Sequence, residues 1–152
     1  MLDKNPKLAA KFQCDKHICK MIVESCQILC SVFYYNSEIK PPYKLTHKNH
    51  PCCVWARESL GNFKWLLKHT EYLLDEYSLR YAKRHKCNDV FCWIKSNMNV
   101  LKFNKTELTD FVQAMPEHYR LNDAVKAYRN YYKGEKAEIA VWKNSVIPDW
   151  FA

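Results

Sequence analysis

The chain has 152 residues, and 48% of them are hydrophobic and 14% aromatic, which is too apolar for a disordered protein. Only 2 glycines occur, which excludes a Gly-rich phosphate loop or dinucleotide fingerprint and argues against a turn-rich β-sandwich or barrel. The formal net charge is +8, and the acid-free stretch from Ile39 to Arg57, with Lys40, Lys44, Lys48 and Arg57, is a surface that attracts polyanions.

The pattern predicts an all-α chain, read as a single compact helical domain over residues 1–152, with two long helices packed with shorter ones and a C-terminal tail from about residue 146. Residues 3–13 contain a short helix with Asn5 as its cap and Pro6 at its first position. A long helix runs from about Lys16 to Tyr34, with Asp15 as candidate N-cap and Ile18, Met21, Ile22, Leu29, Val32 and Phe33 as its apolar stripe. Pro41 and Pro42 break the loop from Glu38 to Asn49. Pro51 then opens helical periodicity that lasts to about Arg84, with a break expected near Gly61–Asn62. Shorter helices are expected at Asp89–Asn97 and at residues 106–114 with Thr106 as cap. A last helix runs from Asn122 or Asp123 to about Lys143.

Eight cysteines occur without any CxxC pair, so they read as reduced thiols rather than a zinc finger or a disulfide framework. Neither HxxxH nor HExxH occurs, and no metal or cofactor is expected. Residues 1–15 are charged and polar, no apolar run approaches a membrane span, and a cytoplasmic protein is the expectation.

Three polar clusters are candidates for function. His17, Lys20, Glu24, Gln27 and Ser31 follow at steps of 3, 4, 3 and 4 and share a helical face. A carboxylate flanked by a lysine and a histidine holds the ingredients of acid–base chemistry, although any surface helix also carries a polar stripe. Thr46, His47, Asn49, His50, Trp55, Arg57, Glu58 and Asn62 surround the next helix start. Near the end, Tyr128, Arg129, Tyr131, Tyr132 and Lys133 interleave rings that stack on bases with cations that hold phosphates. Core packing of those tyrosines is the alternative.

The strings CDKHICKMIVESCQ, THKNHPCCVWARESLGNFKWLL, AMPEHYRLNDAVKAYRNYYKGEK and IPDWF resemble a small protein family carried by large bacteriophages. More distantly the pattern is similar to the pyrimidine-dimer DNA glycosylases of the phage T4 endonuclease V type. That family has a His seven residues before its catalytic Glu on an early helix, the spacing of His17 and Glu24. The resemblance implies an all-α fold, no metal, double-stranded DNA as substrate, and an amine that attacks the sugar C1′ to form a Schiff base. It implies Glu24 as the acid–base group with His17 beside it, and the Met1 amine as nucleophile, with Lys20 second. The family's N-terminal Thr is Leu2 here, and Val23 and Gln27 stand where it has arginines.

The expected function is a DNA glycosylase, with or without abasic-site lyase activity, acting on a damaged or modified base. Lys44, His47, Lys48, His50, Arg57, Asn62, Arg129 and Lys133 are the candidate DNA contacts. The alternatives are a non-catalytic nucleic-acid-binding protein on the same fold, or an enzyme acting on free nucleotides.

Overall fold

The computed structural model describes residues 1–152, and its regular elements are all helices, without strands. Six helices follow one another: α1 (Pro6–Lys11), α2 (Asp15–Asn36), α3 (Pro51–Glu58), α4 (Leu60–Tyr81), α5 (Asn88–Asn97) and α6 (Ala124–Lys136). Single 3-10 turns occupy Met98–Val100, Glu117–Tyr119 and Ala137–Ile139.

The local caps explain most helix starts. Asn5 accepts hydrogen bonds from the Lys7 and Leu8 amides, with Pro6 as the first helical residue. His50 does the same for α3 through Nδ1, which accepts from the Cys52 amide behind Pro51. Asp123 caps α6 by accepting from Val125 and Lys126. The cap of α2 differs from expectation. Cys14 holds that place, and Asp15 lies inside the helix, where its carboxylate takes up Arg80 and the Lys143 amide.

The two 22-residue helices, α2 and α4, pack against each other, with α3 between them at one end and α1 laid on α4. Ile18, Ile22, Leu29, Phe33, Phe63, Leu73 and Ile94 are fully enclosed in this core. By length and mean hydropathy (1.3 over its best window), α2 does reach the range of a membrane span, contrary to the reading of the sequence. Half of that window is buried among the other helices. A second, smaller cluster joins Leu2, Cys14, Tyr132 and Trp142, so the first residues of the chain are packed against its last helix and tail. All eight cysteines are free thiols.

The break expected near Gly61–Asn62 is found two residues earlier, and two further expectations are corrected. The break in the Pro51–Arg84 periodicity falls at Ser59, whose backbone is extended and whose hydroxyl caps α4 at the Asn62 amide. Residues 106–114 form no helix. They are drawn out as a strap over the α3–α4 junction, because side chains from that junction take their backbone groups. Ser59 donates to Glu107 O at 2.6 Å, Trp55 Nε1 to Asp110 O at 2.9 Å, and Asn62 Oδ1 accepts from the Thr109 amide at 2.8 Å. Gly61 permits that approach: a Cβ there would lie 2.4 Å from the Leu108 nitrogen. The last helix stops at Lys136 rather than near Lys143. Val141 O instead accepts from the Asp15 amide, and buried Trp142 donates to Phe12 O.

Candidate active site

A cavity of about 260 Å³ opens where the chain start meets α2, α3, α4 and α6. α2 contributes His17, Lys20 and Glu24. α3 and its N-cap contribute His50, Cys52 and Trp55, α4 contributes Trp65 and His69, and α6 contributes Tyr128, Tyr131, Tyr132 and Lys136. Met1 closes the ring. Residues at steps of three and four on α2 are thus joined by groups more than a hundred positions away in the sequence.

The position of Met1 is tightly determined. Arg129 Nε donates to Leu2 O at 2.9 Å, and its Nη2 pairs with Asp3 at 2.8 Å. Trp65 Nε1 donates to Lys4 O at 2.8 Å, and His69 Nδ1 meets Pro6 O at 3.1 Å. The Leu2 side chain is buried beside Cys14, Tyr132 and Trp142. Together these contacts deliver the α-amine to the cavity.

Electrostatics there favour neutral bases. Burial lowers the Met1 amine from the usual 8.0 to about 5, against an opposing pull from Cys52. Burial also takes His17 down to about 4, helped by the charges of Lys136, Lys20 and the amine itself. His69, stacked on Trp65, falls to about 4 by burial as well. The Tyr128 and Tyr132 hydroxyls are pushed up by burial and stay protonated. Glu24 pairs with Lys20 at 3.4 Å and keeps a partly exposed carboxylate. An amine unprotonated at neutral pH in the same cavity as a carboxyl is the apparatus of imine chemistry. No group of three His, Cys, Asp or Glu side chains is placed to hold a metal ion.

The remaining sequence candidates scatter. Lys44, His47 and Lys48 are exposed on the loop before α3, and Lys133 is exposed on α6. His50 is at the cavity rim. Arg57 does not reach the cavity: its Nη1 donates to Lys48 O, its plane lies 4.1 Å from the Tyr35 ring centre, and it lines a separate groove of about 720 Å³ with Asn36, Glu58 and Lys102. Asn62 is fully buried and its amide is spent on Trp55 O and Thr109, so no DNA contact is left to it. Arg129 is committed to the chain start rather than to phosphates. Ser31 ends the polar stripe inside the core, its hydroxyl bonded to Ile28 O. Trp65, His69 and Cys52 are site residues that the sequence reading does not single out; Lys136 belongs to the cation row of the last helix, with Lys126, Arg129 or Asn130, and Lys133, and lies four residues after Tyr132.

Residues 2–89 match the family model described as pyrimidine dimer DNA glycosylase. The chain belongs to that family. No curated protein matches it, and no solved structure does. The matched residues of this DNA glycosylase family member run from Leu2 through α4 into α5, and so include His17, Lys20, Glu24, His50, Trp65 and His69. The α6 wall of the cavity lies beyond them. Membership assigns a glycosylase-type function with DNA as the bound substrate.

Proposed function

We propose that this family member excises a damaged or modified base from double-stranded DNA and cleaves the resulting abasic site, using the Met1 α-amine as nucleophile and Glu24 as acid–base group. One observation carries the reading: an α-amine held unprotonated by burial lines the same cavity as Glu24.

The target nucleotide must leave the stack for its C1′ to reach a recessed amine. The amine nitrogen then bonds to C1′ while the glycosidic bond breaks, its electron pair leaving with the base, which takes up a proton. Ring opening follows as the nitrogen lone pair forms the imine and O4′ departs with a proton. Loss of a C2′ proton from the imine next expels the 3′ phosphate and breaks the strand. Each step moves a proton at the sugar, and Glu24 is the carboxyl within the cavity to carry it. His17, neutral near pH 7, lines the same cavity with its ring edge-on to Tyr132 at 5.0 Å. Trp55, Trp65 and Tyr131 give the cavity aromatic walls suited to an extruded nucleotide.

The test is borohydride trapping on duplex DNA carrying either pyrimidine dimers or an abasic site, with protein of verified intact mass. A covalent adduct mapped to Met1, together with base release, supports the reading. An adduct on Lys20 transfers the nucleophile to that residue. Absence of both base release and adduct overturns the reading and favours a non-catalytic DNA-binding protein.

A further inference from the structure

The α4 wall of the cavity carries a hydrogen-bond acceptor that the imine chemistry does not use. His69 is 4% exposed and lies stacked on Trp65, with the ring centres 5.0 Å apart. Its Nδ1 meets Pro6 O at 3.1 Å. A carbonyl oxygen only accepts, so Nδ1 carries the proton. Burial holds the ring at about 4, and it is neutral near pH 7. Nε2 is therefore a bare acceptor, and no protein group donates to it. It is not sealed in either. The one sealed side-chain polar atom without a partner is Trp150 Nε1, so Nε2 keeps its surface on the cavity.

Gln13 brings a second free group. It is 5% exposed on the same cavity, its backbone carbonyl takes Arg80, and nothing bonds its side-chain amide. Buried polar groups without partners favour a ligand that supplies them. Trp55 and Trp65 make the surroundings aromatic. The ligand that fits is flat, with apolar faces and an N–H donor next to a carbonyl on one edge. A thymine- or uracil-type base has that edge in its N3–H imide. We propose that His69 Nε2 is the specificity-determining acceptor for the imide N–H of the extruded base, with the Gln13 amide donating to the neighbouring carbonyl. This deepens the glycosylase reading and rests on it for the presence of a base in the cavity.

The experiment is an equilibrium titration with 1-methylthymine, which stands in for the base on its sugar, and with 1,3-dimethylthymine, which lacks the N–H. Binding is followed by nuclear magnetic resonance through the Trp65 indole N–H. His69→Asn keeps a donor at the place of Nδ1 for Pro6 O and removes the acceptor; His69→Gln returns an acceptor at the reach of Nε2. Wild type should bind 1-methylthymine about tenfold more tightly than the dimethyl compound, the effect of one buried hydrogen bond. His69→Asn should weaken 1-methylthymine by about the same factor and leave 1,3-dimethylthymine unchanged, and His69→Gln should recover most of the loss. A merely structural role would weaken both ligands equally and would overturn the proposal. Unchanged affinity of His69→Asn for 1-methylthymine, or no binding of either compound to the wild type, would overturn it as well. The titration needs no turnover. If the wild type releases no base from dimer-bearing duplex, the catalytic reading falls while the affinities still decide the role of His69.

Discussion

Arg129 grips Asp3 across the whole length of the chain, with Nη2 2.8 Å from the carboxylate, while its Nε holds the carbonyl of Leu2. The guanidinium is further enclosed by Phe12 and Trp150, 5.7 and 5.3 Å from their ring centres. Arg129 thereby fixes the residues that follow the α-amine. Arg129→Met should lower the yield of borohydride-trapped adduct by about tenfold, a modest misplacement cost for a reaction that depends on alignment. The salt dependence of DNA binding should be unchanged, since this guanidinium faces protein. A flattened salt slope would return Arg129 to the phosphate contacts.

Glu24→Gln removes the ionisable group and keeps the shape. Turnover should fall by at least about 100-fold, with DNA affinity within a few-fold. Helix α2 should be little affected, because both residues are good helix formers. Single-turnover base release measures the effect, and an unaltered rate would remove Glu24 from the chemistry.

The amine gives a pH signature. Its value of about 5 lies below the ordinary 8.0, so the unprotonated form persists from pH 8 down to about pH 5. Adduct formation should therefore be flat from pH 8 to 6 and decline only as pH falls through about 5. A decline already complete at pH 7 would mean a solvent-exposed amine or a lysine nucleophile.

The loop before α3 presents Lys44 and Lys48 to solvent. Replacing both by Ala should reduce the salt slope by up to about 1.8, two phosphate contacts at about 0.9 each, on intact and damaged duplex alike. Fluorescence anisotropy over a salt series reads this directly. An unchanged slope would place the phosphate-binding surface elsewhere.

Stability depends on a different arginine. The Arg80 side chain is wholly buried and bonds to Lys11 O, Gln13 O, Asp15 and Glu76. Arg80→Met leaves two carboxylates without their partner and should cost about 3 kcal/mol, or about 10 °C in Tm. Thermal unfolding followed by circular dichroism tests this, and a loss under about 2 °C would contradict it.

His69 adds an acid-side dependence. Its folded value of about 4 lies below the ordinary 6.5, so between these the unfolded chain binds more protons and stability falls as pH falls. The loss begins below pH 6.5 and is complete near pH 4. His69→Gln should flatten the Tm profile over that window, and an unchanged profile would exclude His69 as its source.

The amino-acid sequence by itself determined the helical class, the two long helices and the pairing of Glu24 with Lys20 on one face. These depend on periodicity, on caps such as Asn5 and His50, and on i,i+4 spacing, all of which act within a few residues. Only the tertiary structure decided that Asn62 is structural, that residues 106–114 are drawn out rather than helical, and that Arg129 serves the chain start. In each case a backbone or side-chain group is claimed by a partner 47 to 127 positions away, and no local pattern records that competition. The same holds for Met1 and Lys136. The amine is a weak base because burial desolvates it, and the ammonium reaches the cavity because α6 turns back onto α2. Desolvation and convergence belong to the packed chain, and no local pattern in the sequence states either.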